Sequence, residues 1–237
     1  MNYDVKIFIK IIANQLNIIC ADVIGPYQRG FVTRRLIQNV AMDVLTVLRN
    51  QTDQSKYHQL LLVDQQKAFD RVNHGYLRMV LNKMNFDKKF VNIVNALFSS
   101  QQAYITDSGL LSEPFRVERG VCQRDPLSLL LYTLAIEPLL KYIYEKIYGI
   151  EIKNQCFKIN IYADDLTIGI GFQSDWLDLL EIIKTYEAAS NTRVNRSKTM
   201  LIPLTVIAQD YNLTSECNFR KVTKDKPISI LGYKVDS

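Results

Sequence analysis

Cysteine and histidine are scarce in this 237-residue sequence, and what little there is forms no recognisable site. Cys20, Cys122, Cys156 and Cys217 are scattered, with no Cys-x-x-Cys and no histidine at ligand spacing. This argues against a zinc site or a disulfide framework and fits a reducing, intracellular setting. His58 and His74 are the only histidines, which leaves little room for histidine-based acid–base catalysis. Unbroken apolar runs fall short of the roughly 18 residues that span a bilayer, so no membrane partner is expected. The N-terminal stretch Ile7–Cys20 is broken by Lys10, Asn14, Gln15 and Asn17 and has no small-residue cleavage site. It reads as an amphipathic helix and not as a signal peptide. A helix that opens so early suggests a start truncated relative to a longer parent, although a short natural N-terminus is equally simple. Internal repeats, low-complexity segments and flexible linkers are missing too. The charge imbalance is small, 29 Lys and Arg against 24 Asp and Glu, or +5. A polyanionic partner is permitted by that excess but not demanded.

What is present is apolar residue at regular spacing. At 48% hydrophobic the chain can bury a sizeable core, as one large domain or a domain with a lobe. Leu36, Val40, Val44, Val47 and Leu48 predict a helix from about Arg34 to Arg49, with Arg34 and Arg35 at its start. Cations are disfavoured there by the helix dipole, so the pair is either solvated or set against an anion. Gln59–Val63 is a dense apolar run of the kind a sheet buried on both faces uses, and it ends at Asp64. Gly75–Met84 and Lys88–Ser100 predict two helices, and Gln102–Thr106 with Pro114–Glu118 a hairpin. Asp125 followed by Pro126 is a strong helix start, and Glu137-Pro138 should kink or split that helix. Ser174–Ala189 reads as an amphipathic helix. A basic turn, Arg193–Lys198, leads into a strand at Thr199–Pro203, and Phe219–Val222 and Ile228–Val235 form the tail. Irregular alternation of these elements predicts an α+β fold with a mainly antiparallel sheet.

Chemistry concentrates in Phe157–Ile170. Two strand-like runs flank Asp164 and Asp165, and their period of two predicts a tight hairpin across the acidic pair. Paired aspartates are ordinary turn residues. A second acidic strand end at Asp64 gives the pair another meaning. Three carboxylates gathered at one sheet edge are hard oxygen ligands of the type Mg²⁺ prefers.

Read in order, Leu60–Asp70 (LLLVDQQKAFD), Gly120–Leu131 (GVCQRDPLSLLL), Tyr162–Asp165 (YADD), Asn195–Thr199 (NRSKT) and Leu231-Gly232 resemble the motifs of reverse transcriptases. Tyr3–Leu16 and Gln28–Asn39 (QRGFVTRRLIQN) resemble the fingers segments of the LINE-type, non-LTR retrotransposon branch. The resemblance covers nearly the whole chain. It implies a right-handed fingers-and-palm fold, the palm having a mainly antiparallel sheet flanked by helices. Residues 1–58 would be an N-terminally truncated fingers segment. Residues 59–237 would be palm, with an intervening fingers segment at about 75–120 and no thumb. The implied activity is RNA-directed DNA polymerisation with two Mg²⁺ (or Mn²⁺) ions, an RNA template, a DNA primer and dNTPs as partners, and no stated oligomeric state. Asp64, Asp164 and Asp165 would bind the metals, and Lys198 would lie by the triphosphate as a proton donor. Phe69 would sit under the sugar and exclude a 2′-hydroxyl, Gln123 would support the base pair, and Arg34 and Arg35 would face template or triphosphate.

The sequence departs from the family pattern where Arg34 stands for the glycine of a Gly-Arg pair, where Asn191 stands for a glycine, and where Arg124 follows Gln123 in place of glycine. The alternatives are a catalytically inactive relic with residual non-specific RNA or DNA binding, and a structural α+β module whose acidic hairpin is only a turn.

Overall fold

A computed structural model describes residues 3–49, 54–99, 101–122, 125–153, 155–210, 217, 219–222, 228–230 and 233–235. Gln123, Arg124, Leu231 and Gly232, singled out above, lie outside the described residues.

The chain opens with helices α1 (Tyr3–Val23) and α2 (Ile37–Arg49), then strand β1 (Gln59–Val63), a 3-10 turn at Phe69–Arg71, and helices α3 (His74–Lys83) and α4 (Lys88–Ser99). Four two-residue strands follow: β2 (Gln102–Ala103), β3 (Thr106–Asp107), β4 (Leu110–Leu111) and β5 (Phe115–Arg116). β2 pairs with β5 and β3 with β4, so the expected hairpin forms in two short steps. Helix α5 (Pro126–Lys146) leads to β6 (Ile150–Ile152), β7 (Gln155–Phe157), β8 (Ile159–Tyr162) and β9 (Asp165–Ile170). Helix α6 (Gln173–Ser190), β10 (Met200–Pro203), α7 (Val206–Asp210), β11 (Arg220–Lys221), β12 (Ile228–Ile230) and β13 (Tyr233–Val235) complete the order.

The central sheet runs β11-β10-β1-β9-β8. Its four longer strands are antiparallel neighbours, and only β11 joins in parallel, on β10. β1 lies in the middle, which explains its unbroken apolar sequence: Leu60 and Leu61 point to opposite faces and both are fully buried. One face packs on α5 and α6, and α3 packs against those two helices. The other carries a smaller core in which Val44 and Val47 of α2 meet Leu60 and Ile202.

Helix α5 starts as predicted. Asp125 is the N-cap and accepts from Leu127 N at 3.1 Å, with Pro126 in the first turn. Of the two expected outcomes at Pro138, the split does not occur, and the helix continues to Lys146. Its sides are buried against α1, α3 and α6, and that packing outweighs the hydrogen bond a proline forfeits. This is also a helix long and apolar enough to cross a membrane, but most of it is buried in the protein core.

Helix α2 begins at Ile37, three residues later than predicted. Arg34 has a φ of +67°, a left-handed conformation that a helix cannot include. Arg34 and Arg35 therefore belong to the turn before the helix.

Candidate active site

The acidic hairpin forms, with one correction to its turn. Tyr162 pairs with Asp165, so the two turn residues are Ala163 and Asp164, and Asp165 is the first residue of β9. The predicted turn across the two aspartates is displaced by one residue. Ala163 has a φ of +59°, unusual for a residue with a Cβ and suited to the reversal.

Register brings the third carboxylate alongside. Val63 at the end of β1 pairs with Leu166, and Asp64 and Asp165 are the next residue along each chain segment beyond that pair. The electrostatics agree with this placement. Burial raises the Asp164 carboxyl above its ordinary range, and the charge of Asp64 adds to the rise. Asp165 is raised by burial first, then by Asp164, then by Asp64. Asp164 thus feels Asp64, and Asp165 feels both of the others.

The basic turn docks on the same edge. Asn195 N donates to Asp64 O at 2.8 Å, and Gln66 N donates to Arg193 O at 2.8 Å. Thr199 Oγ1 accepts from Asp64 N at 3.2 Å and donates to Asn195 O at 2.9 Å. Lys198 is exposed within this turn, its N–H closing on Asn195 O at 3.1 Å. Sequence separation of more than 130 residues is thus bridged by backbone bonds, which a one-dimensional pattern could not reveal.

Phe69 opens the 3-10 turn, half-buried, with its ring 4.3 Å from that of Tyr132 on α5. Its carbonyl accepts from Val121 N at 2.8 Å, which ties the Gly120-Val121 segment to it. The Tyr132 phenol is held well above its usual range by burial, with the fields of Tyr186 and Asp164 adding to it. Tyr132, which Phe69 packs against, therefore lies within the field of Asp164.

Arg35 has a different occupation. Its guanidinium donates to four backbone carbonyls: Gly25 (2.5 Å), Gln28 (2.6 Å), Ile24 (2.9 Å) and Ala21 (3.4 Å). It closes the C-terminal end of α1 and pins the following turn. Arg34 is exposed. The structure brings Asp64, Asp164, Asp165 and the Lys198 turn to one edge of the sheet, and sets Phe69 against Tyr132 of α5. Arg35 is turned inward.

Residues without an assigned role in the sequence also reach the hairpin. Gln65 Nε2 donates to Asp164 O at 3.4 Å. Gln28, fully buried, meets both backbone groups of Ala163. A glutamine in a short extended segment was the only signal available, and it is a weak one.

For a divalent cation the donor type fits, since carboxylates supply hard oxygen ligands. Among the described residues no group of three or more His, Cys, Asp and Glu side chains stands in position to hold a metal ion.

The family model described as "Reverse transcriptase (RNA-dependent DNA polymerase)" matches residues 1–235. A Xenopus laevis protein, "Transposon TX1 uncharacterized 149 kDa protein", is 33% identical over 204 residues, covering 84% of this chain and 15% of that protein. The "Retrovirus-related Pol polyprotein from type-2 retrotransposable element R2DM" of Drosophila melanogaster is 30% identical over 165 residues, 67% of this chain and 16% of that protein. The chain therefore spans about one-sixth of the length of these relatives. Among solved structures, telomerase from Candida tropicalis in complex with a fragment of telomeric RNA is similar at a TM-score of 0.59 and 13% identity, covering 81% of this chain and 33% of that one. Apo telomerase from the same organism gives a TM-score of 0.57. With strand pairing, motif order and relatives in agreement, the chain belongs to the reverse transcriptase (RNA-dependent DNA polymerase) family and is a domain of the non-LTR retrotransposon type.

Proposed function

We propose that this chain is an RNA-directed DNA polymerase that adds dNTPs to a primer 3′-hydroxyl on an RNA template. The observation that carries the reading is the placement of Asp64 and Asp165 next beyond the last β1–β9 pair, with Asp164 in the adjoining turn. In the reaction the 3′-oxygen bonds to the α-phosphorus while the bond to pyrophosphate breaks. Two Mg²⁺ or Mn²⁺ ions, when bound, would activate that hydroxyl and stabilise the departing pyrophosphate. Asp64, Asp164 and Asp165 are the residues that would hold them.

The chain's own groups supply the rest. Lys198, exposed on a turn anchored to Asp64, would give a proton to the leaving pyrophosphate. Phe69, braced by Tyr132, offers a flat apolar surface on which a 2′-hydroxyl would lose its water without gaining a partner. Gln123 would support the nascent base pair. Arg34, exposed, is the better fingers cation for template or triphosphate, since the Arg35 guanidinium is committed to carbonyls.

A primer-extension assay on an RNA template with Mg²⁺ or Mn²⁺ and dNTPs tests the reading. Extension is expected from the wild-type chain and none from Asp164→Ala. Extension surviving that substitution would refute the site.

A further inference from the structure

We infer that Gln28 is a positioning residue for the hairpin turn that carries Asp164, working through the Ala163 peptide. Beyond the edge of the sheet, Arg29 N donates to Ile161 O at 2.8 Å and Ile161 N donates to Tyr27 O at 3.0 Å. Residues 27–29 therefore add a short parallel rung to β8, with Gln28 bridged to Ile161. From this rung the Gln28 side chain reaches past Ile161 to the turn. Its Oε1 accepts from Gly30 N at 2.7 Å and from Ala163 N at 3.2 Å, and its Nε2 donates to Ala163 O at 3.4 Å. Both polar groups of Ala163 are thereby met by one side chain.

The rung is itself held from behind. Tyr27 Oη donates to Glu137 Oε1 at 2.7 Å, and Gly25 N donates to the same oxygen at 2.9 Å. Arg35 clasps the Gln28 carbonyl from a third side. A side chain fully buried and fixed at both ends transmits position with little slack. Gly30 closes the arrangement, since a Cβ there would stand 2.4 Å from Ala163 N. Only hydrogen fits between that backbone and the turn.

A two-residue turn with Ala163 at positive φ could rotate its peptide if nothing held it. Rotation would swing the following carboxylate away from Asp165 and Asp64. Gln28 opposes it directly. The consequence for catalysis rests on the polymerase reading above; the clamp itself does not.

Two variants test it, Gln28→Met, which keeps length and removes all three side-chain bonds, and Gly30→Ala, which presses on the turn. Amide exchange at Ala163 is expected to accelerate at least tenfold in Gln28→Met, well beyond any change in global exchange. Mn²⁺ affinity, measured by titration, should fall about 10–100-fold, the usual loss when a partner behind a metal ligand is removed. In primer extension kcat should fall by a similar factor while KM for dNTP stays within about threefold. Gly30→Ala should shift the same quantities in the same direction, and it carries the test alone if Gln28→Met does not fold. Folded variants with wild-type Ala163 exchange, Mn²⁺ affinity and kcat would overturn the proposal. A wild-type chain that neither binds Mn²⁺ nor extends primers would sink the polymerase reading, leaving Ala163 exchange to decide the clamp.

Discussion

Val63 and Leu166 are the last pair joining β1 to β9, and Asp64 and Asp165 are the next residue along each chain segment beyond it. Like charges directly opposite in a sheet are destabilising, and here a third, Asp164, sits in the adjoining turn. A structural module has no use for that repulsion. A site that binds cations does, because each carboxylate raises the field that draws the ion in.

The cost should be measurable without metal. Burial and mutual repulsion raise Asp164 and Asp165 above the ordinary value of 3.8. The folded chain thus keeps protons that the unfolded chain has already released. Stability in EDTA should fall as pH rises from the ordinary aspartate range through the raised values, then level off. At neutral pH Asp165→Asn should melt higher than wild type by roughly 1–3 °C, since about 1 kcal/mol shifts a domain this size by roughly 2–4 °C and the site is partly solvated. Near pH 4 the gap should close. Excess Mg²⁺ should raise the wild type and leave the variant unmoved. A variant that melts lower at neutral pH in EDTA would count against repulsion at this edge.

Arg35 should behave as a structural residue. Its guanidinium is lowered from its ordinary pKa by burial and by neighbouring Arg29, and it serves carbonyls from Ala21 to Gln28. Arg35→Ala should cost about 2–3 kcal/mol in urea denaturation, from the loss of charged hydrogen bonds. Arg35→Lys should recover less than half, because one ammonium cannot span the fork. A loss of dNTP affinity with unchanged stability would reverse this assignment.

Two departures from the family pattern lose their meaning as decay. Arg34 and Asn191, both at positions where glycine is usual, have φ of +67° and +62°. Asn191 is the left-handed C-cap of α6, a place asparagine tolerates. Asn191→Gly should change stability by less than about 0.5 kcal/mol. Arg34→Gly relieves roughly 1–2 kcal/mol of left-handed strain and loses part of that to unfolded-state freedom. A net gain of about 0.5 kcal/mol is expected, with a higher KM for dNTP if Arg34 meets the triphosphate. Thermal melts and steady-state kinetics on the one variant read both effects.

Much of the site was legible in the sequence because strands ending in Asp64 and flanking Asp164-Asp165 show their period and their punctuation. Helix α5 announced its start through Asp125-Pro126. Its passage through Pro138 was hidden, since burial on every side is a tertiary property. The turn at Ala163-Asp164 was misplaced by one residue for a similar reason: register with β1 and the Gln28 contact, not turn propensity, choose which residues bend. Inward-facing Arg35 was equally unreadable, because the carbonyls it serves are set by where α1 stops.

Nucleic-acid binding should be electrostatic. With a net charge of +5 and cations at Arg34, Arg193, Arg196 and Lys198, contacts would fall mainly on phosphates. Affinity for an RNA–DNA hybrid, measured by anisotropy, should drop at least tenfold between about 50 and 200 mM salt, as two or more released counterions require. A flat salt profile would exclude a phosphate-tracking groove.

Arg124 is the departure with consequences for rate. Glycine at this point of the family pattern lets template or nucleotide approach the backbone without meeting a Cβ. Arginine adds a long side chain next in sequence to Gln123, the residue that the family pattern assigns to the base pair. The neighbouring Asp125 could in principle draw it away, but both of its carboxylate oxygens are engaged by the helix start. Oδ1 accepts from Leu127 N and Oδ2 from Ser128 Oγ, each at 3.1 Å. An exposed ion pair added to those would contribute only about 0–1 kcal/mol, too little to keep the site open. Low activity is therefore expected from the wild-type chain, and Arg124→Gly should raise primer extension severalfold with a melting temperature changed by less than about 2 °C. The substitution leaves the Asp125 cap intact, so little change in stability is expected. Equal extension by both proteins, well above the Asp164→Ala background, would show that Arg124 is accommodated. Background extension by both would place the damage elsewhere and favour an inactive relic.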